Sequence, residues 1–323
     1  MTLSSKEIIK VEEDLSEKFD GIVLVINPPN RYCKELTEEM VAKEGWDNSH
    51  YCYDIWKRSF GPVFKLYCAF DKKADKIVGC KGVLHCSMYY VQAEYRQLKL
   101  GLQLCDKAYS DAPSLNLFCY GVASMYNKYK AVMNFDKFAN WRLQTTYARC
   151  SDIRPENLDP VDTSVELKHW RLVPLQDILA YDKVIACGIN REAYLTNTVQ
   201  HPDSLTMVAT KTGQLVGVCQ IRELVGKRLG ISLFYADNEA IARSLLKYVL
   251  EEFPKSRYRS LDSYTKFVYK TPSTNENSCQ MFMNLVDGKI LDKQVLVPQF
   301  TKEVLQFPTH LIYSICDEHS GLI

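Results

Sequence analysis

The chain has 323 residues, of which 46% are hydrophobic and 24% are charged. This composition is typical of a globular protein with a sizeable core and excludes a disordered chain. Forty Lys and Arg residues balance 39 Asp and Glu residues, so the basic excess typical of a dedicated nucleic-acid-binding protein is absent. At roughly 150 residues per domain, the length predicts two domains.

The N-terminal sequence and the apolar runs argue against a secreted or membrane protein. Residues 1–19 carry charges throughout and contain no continuous apolar core of a signal peptide. No apolar run approaches the roughly 20 residues needed to cross a bilayer. The 12 Cys residues stand singly among apolar residues, without CxxC or zinc-type spacing, so we expect buried free thiols and no metal site. These features predict a soluble, cytoplasmic protein.

The first half of the chain predicts alternating strands and helices. An apolar, β-branched run at residues 21–26 predicts a strand. Helical spacing follows over residues 32–60, interrupted by a turn-forming sequence at 44–48. The later elements predicted in this half are strands at 64–70, 77–84, 87–92, 115–120 and 141–148 and helices at 101–110 and 123–133.

A polar stretch with two prolines, residues 151–164, is typical of a linker. After it a similar order recurs, which predicts two α/β units of one plan. The predicted elements are a strand at 170–174, a helix at 191–199, a hairpin of 205–211 and 214–222, a strand at 229–235, a helix at 237–252 capped by Asp237 or Asn238, and a short helix at 280–285. We therefore assign a first domain to 1–152, a linker to 153–165 and a second domain to 166–323.

The segment Tyr89–Gly101, with the sequence YYVQAEYRQLKLG, joins a predicted strand to a helix through a short loop. The first turn of a helix has unpaired N–H groups and a positive dipole potential, so such a junction can bind phosphate. Arg96 and Lys99 could add positive charge there. Many junctions of this kind bind nothing, so a purely structural loop is the alternative.

This segment resembles the coenzyme-binding motif of the GNAT superfamily of acetyl-CoA-dependent N-acetyltransferases, a strand followed by V-x-P-E-Y-R-x-x-G-x-G and a helix. The matching residues are Val91, Glu94, Tyr95, Arg96 and Gly101. Upstream, the sequence EGWD at 44–47 resembles the EGWN of a bacterial and nematode GNAT subfamily in which a second GNAT-like domain follows the first. Downstream, residues 129–135, 190–195, 230–237 and 312–315 also resemble that subfamily.

The resemblance implies an α/β (α+β) fold of two tandem GNAT-like domains, each with a mixed, mostly antiparallel twisted sheet flanked by helices. It implies that acetyl-CoA lies along the strand and loop of the first domain. The residues implied to bind it are Tyr90, Val91, Arg96, Gln97, Leu98, Lys99, Leu100 and Gly101. The second half lacks R-x-x-G-x-G, so no second coenzyme site is expected there.

Two departures from the family pattern concern glycine positions. Lys99 replaces the central glycine of the loop, where glycine permits unusual dihedral angles and a close approach of phosphate to the backbone. A Lys side chain there could obstruct the phosphate or pair with it. Asn134 replaces the glycine before Phe135, and Asn also tolerates a left-handed backbone.

Acetyl transfer needs a proton for the leaving thiolate and a base for the attacking amine. The resemblance implies that Tyr129 is the general acid, with Tyr126 as the second candidate. For either residue, a tyrosine packed at an ordinary surface is the structural alternative.

Candidate bases are Glu44 and Asp47, in the loop that covers the acceptor site in this fold. Trp46 could wall the acceptor pocket, so Trp46 and Asp47 are the candidate substrate-binding residues. A helix end with a packed Trp is the alternative interpretation of this loop. His85, at the end of a predicted strand, is a further candidate base or a structural histidine.

Two functions fit these residues. The first is an enzyme that transfers an acetyl or short acyl group from acetyl-CoA to a primary amine of a small molecule or peptide. The alternative is a non-catalytic GNAT-like ligand-binding or interaction protein with a degenerate coenzyme loop. We expect no nucleic-acid, membrane or metal partner. We expect a monomer, because two internal units can mimic a dimer, and a homodimer is the alternative.

Overall fold

The computed structural model describes residues 9–15, 17–83, 88–110, 115–257 and 259–318. The chain divides into two compact units, Met1–Leu117 and Phe118–Ile323. No helix in the described ranges is both long enough and apolar enough to span a membrane. His85 lies outside these ranges.

The first unit contains one antiparallel sheet whose strands follow one another in chain order. The described strands are β1 (Val11–Asp14), β2 (Ile22–Ile26), β3 (Lys65–Asp71), β4 (Lys76–Val83) and β5 (Tyr90–Val91). The described helices are α1 (Asn30–Glu44), α2 (Cys52–Phe60), α3 (Ala93–Arg96) and α4 (Leu100–Ser110), with a 3₁₀ turn at Gly61–Val63. The strands predicted at 21–26, 64–70 and 77–84 and the helices predicted at 32–60 and 101–110 are confirmed over their described residues. The strand predicted at 87–92 is formed only at Tyr90–Val91, and residues 84 and 87 lie outside the described ranges. β1 and α3 were not predicted.

Helices cover both faces of this sheet. Tyr90 on β5 pairs with Cys80 on β4, and its hydroxyl reaches Glu39 on α1. Gly79, the next position, faces the opposite side because successive residues of a strand alternate. A Cβ at Gly79 would lie 3.4 Å from Leu104 Cδ1 of α4. The sheet is therefore enclosed between α1 on one face and α4 on the other.

The second unit contains a larger sheet in the strand order β6-β14-β8-β13-β12-β11-β10-β9, to which β7 and β15 add. Its described strands are β6 (Phe118–Val122), β7 (Lys137–Phe138), β8 (Leu143–Arg149), β9 (Glu166–His169), β10 (Ser204–Lys211), β11 (Gln214–Leu224), β12 (Arg228–Ala236), β13 (Lys266–Pro272), β14 (Asp292–Phe300) and β15 (Ile312–Ser314). Its described helices are α5 (Tyr126–Met133), α6 (Leu175–Ile185), α7 (Glu192–Val199), α8 (Glu239–Arg257) and α9 (Glu276–Leu285). Short 3₁₀ turns lie at Cys150–Asp152, Pro155–Leu158, Trp170–Leu172, Leu261–Ser263 and Thr309–Leu311.

The longest helix, α8, shows why the second unit has a large core. Asn238 Oδ1 accepts a hydrogen bond of 3.1 Å from the Ile241 amide, which confirms the predicted cap. Ile241, Leu245 and Val249 are spaced four residues apart and are each at most 2% exposed, so one face of the helix is apolar. This face contacts β10 and β11. Among the described pairings only β12 with β13 is parallel, which confirms a mixed, mostly antiparallel fold.

Strands from both predicted domains alternate in the large sheet. β14 lies between β6 and β8, and β8 lies between β14 and β13. Ile153 and Leu158, in the stretch predicted as a linker, are 6% and 1% exposed and belong to the core of the second unit. The boundary between the two compact units therefore lies between residues 117 and 118 of the sequence. The division into repeated domains at residues 152 and 165 stays a prediction.

One strand prediction is wrong, and the thiol prediction is confirmed. The strand expected at 170–174 ends earlier, as β9, because the chain turns at His169, whose Nδ1 accepts a hydrogen bond from the Arg171 amide at 3.2 Å. Of the 11 described cysteines, nine are buried, Cys279 is half-buried and Cys187 is exposed.

Candidate functional site

The predicted coenzyme loop lies in the first unit, where β5 leads through α3 and a turn into α4. β5 is the last strand of its five-stranded sheet, paired with β4 through Val91 and Gly79. The Lys99 carbonyl accepts hydrogen bonds from the Leu102 and Gln103 amides, at 3.1 and 3.3 Å. α4 therefore begins at Leu100, and the Leu100 and Gly101 amides at its start have no carbonyl of the same helix to bind. Such amides can bind an anion.

Lys99 takes the backbone conformation that a glycine would take. Its φ is 60°, in the left-handed region that L-residues adopt at a cost of roughly 1–2 kcal/mol. The loop thus has the backbone geometry expected of the family glycine, although the residue differs. The Lys99 side chain is exposed, and among the described residues its ammonium has no carboxylate partner. It is therefore available to an external anion.

Gly101 leaves room for a neighbouring ring. A Cβ at this position would overlap the Tyr89 hydroxyl and lie 3.0 Å from Tyr89 Cζ. The Tyr89 ring is also 5.7 Å from the ammonium of Lys81, which is 1% exposed and equally close to the Tyr109 ring. A side chain at residue 101 would therefore require the Tyr89 ring to move.

Arg96 connects the loop to β5 and to the end of α1 through hydrogen bonds. Its Nε donates a 2.8 Å hydrogen bond to the Val91 carbonyl of β5. Its guanidinium also donates to the Glu44 carboxylate at the end of α1. The side chains of Arg96 and Glu44 remain 50% and 33% exposed. The structure thus brings two predicted site residues together and gives each a structural partner.

A carboxylate that the sequence did not single out holds β5 on α1. Glu39 accepts hydrogen bonds from the Tyr90 hydroxyl at 2.9 Å and from Gln92 Nε2 at 2.7 Å. Burial and the hydrogen bond to Glu39 raise the pKa of Tyr90 above its usual range. Tyr90 therefore remains a neutral donor, which fixes the strand against the helix.

A second unpredicted carboxylate holds α3. Asp71, at the end of β3, accepts a 2.8 Å hydrogen bond from the Tyr95 hydroxyl. Burial and this bond raise the pKa of Tyr95 to about 12. Burial alone would raise the pKa of Asp71, but hydrogen bonds from the Ala74 amide, the Tyr95 hydroxyl and the Lys73 amide hold it below its usual value. Neither Glu39 nor Asp71 has a local motif that could have identified it.

The loop between α1 and α2 packs on the same strand. The Trp46 ring meets the Tyr90 ring edge-on, with centroids 6.4 Å apart. Asp47 is 7% exposed. Asn48 is 1% exposed, and neither of its side-chain polar atoms has a partner among the described residues. The candidate acceptor loop is therefore next to the candidate coenzyme strand within the first unit.

The two candidate tyrosines lie on α5 in the second unit. Both are half-buried, and the Tyr126 ring meets the Phe138 ring edge-on at 6.2 Å. The Phe135 amide donates to the Tyr129 carbonyl at 3.3 Å, and Asn134 has a φ of 59°. Asn134 thus takes the left-handed conformation that the sequence predicted. The predicted site residues therefore fall in both compact units, and their roles stay predictions.

In the second unit, a segment of the chain itself fills the position next to the strand that precedes α8. β12 pairs with β13 only through Arg228–Gly230. Further along, β12 pairs with β15, through Phe234 with Ser314 and Tyr235 with Ile312. The Ile315 amide donates a 3.0 Å hydrogen bond to the Lys270 carbonyl on β13. β15 thus occupies the opening between the two diverging strands.

Solved structures with the same architecture cover nearly the whole chain. A candidate acetyltransferase from Pyrococcus horikoshii aligns with a TM-score of 0.65 and 13% identity, over 94% of this chain and 97% of that one. A tandem GNAT protein from the clavulanic acid biosynthesis pathway aligns with a TM-score of 0.58 and 13% identity, over 87% and 99%. The chain has the GNAT fold. A GCN5-related N-acetyltransferase from Sphaerobacter thermophilus gives a TM-score of 0.51 at 15% identity, over 88% and 98%.

The likeness is one of structure and not of sequence. No protein-family profile and no curated protein matches the sequence. The GNAT fold predicted from the loop motif is confirmed, while membership of the EGWN subfamily stays a prediction. Within the described ranges, no group of three or more His, Cys, Asp or Glu side chains is placed to bind a metal ion.

Proposed function

We propose that this GNAT-fold protein transfers an acetyl or short acyl group from acetyl-CoA to a primary amine. The observation that carries the proposal is the left-handed φ of 60° at Lys99. It gives the loop a glycine-like backbone at the one position where the sequence departs most from the coenzyme motif. The exposed Lys99 ammonium then adds positive charge where a pyrophosphate would lie.

In this proposal the cofactor is held by backbone groups. The edge of β5 that faces away from β4, along Tyr90 and Val91, pairs with the amide groups of the pantetheine arm in the way that an added strand pairs with a sheet edge. The Val91 carbonyl on this edge already accepts a hydrogen bond from Arg96. The loop at 96–101 binds the pyrophosphate at the start of α4. Bound acetyl-CoA supplies the activated thioester, and a backbone N–H of residues 88–91 stabilises the carbonyl oxygen as it becomes anionic.

Tyr129 donates the proton to the leaving thiolate, with Tyr126 as its substitute, and Glu44 accepts the proton of the amine. Glu44 also binds Arg96, so its proton-acceptor role competes with its structural role. Trp46 and Asp47 contact the acceptor, which we propose to be an amine of a small molecule or peptide. We further propose that the protein acts as a cytoplasmic monomer.

Calorimetric titration with acetyl-CoA and with free coenzyme A at low salt tests the proposal. We expect micromolar binding that Arg96→Ala weakens by about 1–3 kcal/mol, the range for losing a charged hydrogen bond. Arg58→Ala is the matched control, because Arg58 also donates to a backbone carbonyl of the first unit, at 3.3 Å. An absence of binding at millimolar ligand would contradict the proposal. An unchanged affinity in Arg96→Ala would remove Arg96 from the site.

A further inference from the structure

Gln299, on β14, is tied to both ends of the helix that carries the candidate tyrosines. Its side chain is fully buried, at 0% exposure. Nε2 donates one hydrogen bond to the Tyr126 carbonyl at 3.1 Å and another to the Phe135 carbonyl at 3.0 Å. One amide group therefore joins the first residue of α5 to the residue that follows its C-terminal turn.

The side chains of α5 lie at the edge of the core. None of them is buried, and those of Tyr126, Tyr129 and Met133 are half-buried. An isolated helix of eight residues is unstable in water, because nucleation is costly and few bonds follow it. The two hydrogen bonds from Gln299 come from a fully buried side chain. Their loss would leave buried polar groups without partners, which costs more free energy than the loss of an exposed hydrogen bond.

The same amide is adjacent to Tyr129. A Cβ at Gly121 on β6 would overlap Gln299 Oε1 and would lie 3.2 Å from Tyr129 Cδ2. Gly121 therefore leaves room for the amide of Gln299 and the ring of Tyr129 side by side. A movement of this amide would reach Tyr129 through the two helix ends to which the amide is bonded.

We propose that Gln299 is a positioning residue for Tyr129. Its two N–H groups set the position of α5 on the sheet and thereby hold the Tyr129 hydroxyl in place. The positional part of this inference stands on the contacts in the second unit. Its catalytic consequence rests on the proposed function, in which Tyr129 protonates the leaving thiolate. The residue comes from the C-terminal strand β14, about 170 residues after the helix that it holds.

Amide hydrogen exchange of the intact protein tests the position of α5 without any substrate. Gln299→Met keeps a side chain of similar size and removes both donors. Gln220→Met is the matched control, because Gln220 is also 0% exposed and its Nε2 donates to the Thr198 carbonyl at 2.9 Å, away from α5. Each lost hydrogen bond should shift the local opening equilibrium of α5 roughly fivefold. With two bonds lost, the exchange rates of the Tyr129 and Phe135 amides should rise roughly 25-fold in Gln299→Met. The control should leave these amides unchanged.

The turnover measurement separates a positioning role from a merely structural one. Coenzyme A release from acetyl-CoA with a panel of primary amines should fall at least tenfold in Gln299→Met, while acetyl-CoA affinity stays within twofold. If Gln299→Met does not fold, Gln299→Asn, which is one methylene shorter, replaces it. Unchanged exchange in α5, or an equal rise in the Gln220 control, would overturn the proposal. If the wild-type protein releases no coenzyme A, the proposed function fails, and the exchange data still decide whether Gln299 holds the helix.

Discussion

Lys99 combines a strained backbone with an exposed charge, and two substitutions separate these properties. Lys99→Gly removes both the left-handed strain and the charge, whereas Lys99→Ala removes the charge and keeps a Cβ at φ 60°. Relief of the left-handed conformation is worth roughly 1–2 kcal/mol. The greater freedom of glycine in the unfolded chain offsets about 0.5–1 kcal/mol of this. Lys99→Gly should therefore raise the free energy of unfolding by about 0.5–1 kcal/mol, and Lys99→Ala should not.

The two variants should share their effect on the coenzyme. If the ammonium pairs with a phosphate, both should weaken acetyl-CoA binding by about 1 kcal/mol, the upper range for an exposed ion pair. The difference from the wild-type protein should shrink at high salt, because salt screens exposed charges. Lys107→Ala is the charge-matched control, since Lys107 lies on α4, the helix that follows Lys99, and is paired with Glu13 at 3.3 Å.

Denaturant unfolding and calorimetry at two salt concentrations give both quantities. Tighter acetyl-CoA binding by Lys99→Gly than by the wild-type protein would refute the reasoning, because the side chain would then obstruct the phosphate. Equal unfolding free energies for the Gly and Ala variants would refute the strain argument.

Three further outcomes follow from the site. Tyr129→Phe should lower coenzyme A release roughly 10²–10⁴-fold with acetyl-CoA affinity unchanged, and full turnover would exclude Tyr129 as the acid. Glu44→Gln keeps a hydrogen-bond acceptor for Arg96 but cannot take a proton. A large loss of turnover with unchanged acetyl-CoA affinity would identify Glu44 as the base, whereas retained turnover would leave it only the structural role of binding Arg96. The pKa of Asp71 is lowered in the folded state. The ionised Asp71 carboxylate therefore stabilises the folded protein above the unfolded-state pKa near 3.9, and this stabilisation is lost as the pH falls through the folded-state pKa. Asp71→Asn should flatten acid denaturation in that range, and an identical pH profile would contradict this.

The sequence predicted the two hairpins and most of the longer helices because their apolar periodicity is local, but α3 and α6 were missed. The resemblance of the loop to the GNAT coenzyme motif also implied the fold, because the residues that carry this resemblance follow one another within a dozen positions. The partners of the site could not be found in this way. Glu39 and Asp71 meet Tyr90 and Tyr95 only after the chain has folded.

The strand order of the large sheet could not be predicted from the sequence either. β13 and β14 were not predicted, and β14 contains Pro298, which argues against a strand inside a sheet. Yet β14 lies between β6 and β8, where residues far apart in the chain become neighbours. No local pattern encodes such an alternation of strands from the two predicted domains.

The segment that fills the opening between β12 and β13 competes with any free molecule that would pair with β12 there. It is covalently attached to the unit that it fills, so its effective concentration at that opening is on the order of millimolar for a short tether. Any free molecule that pairs with β12 at Phe234 and Tyr235 must first displace Ile312–Ser314. A diffusible molecule at micromolar concentration that pairs there with similar strength is therefore outcompeted by a segment of the same chain.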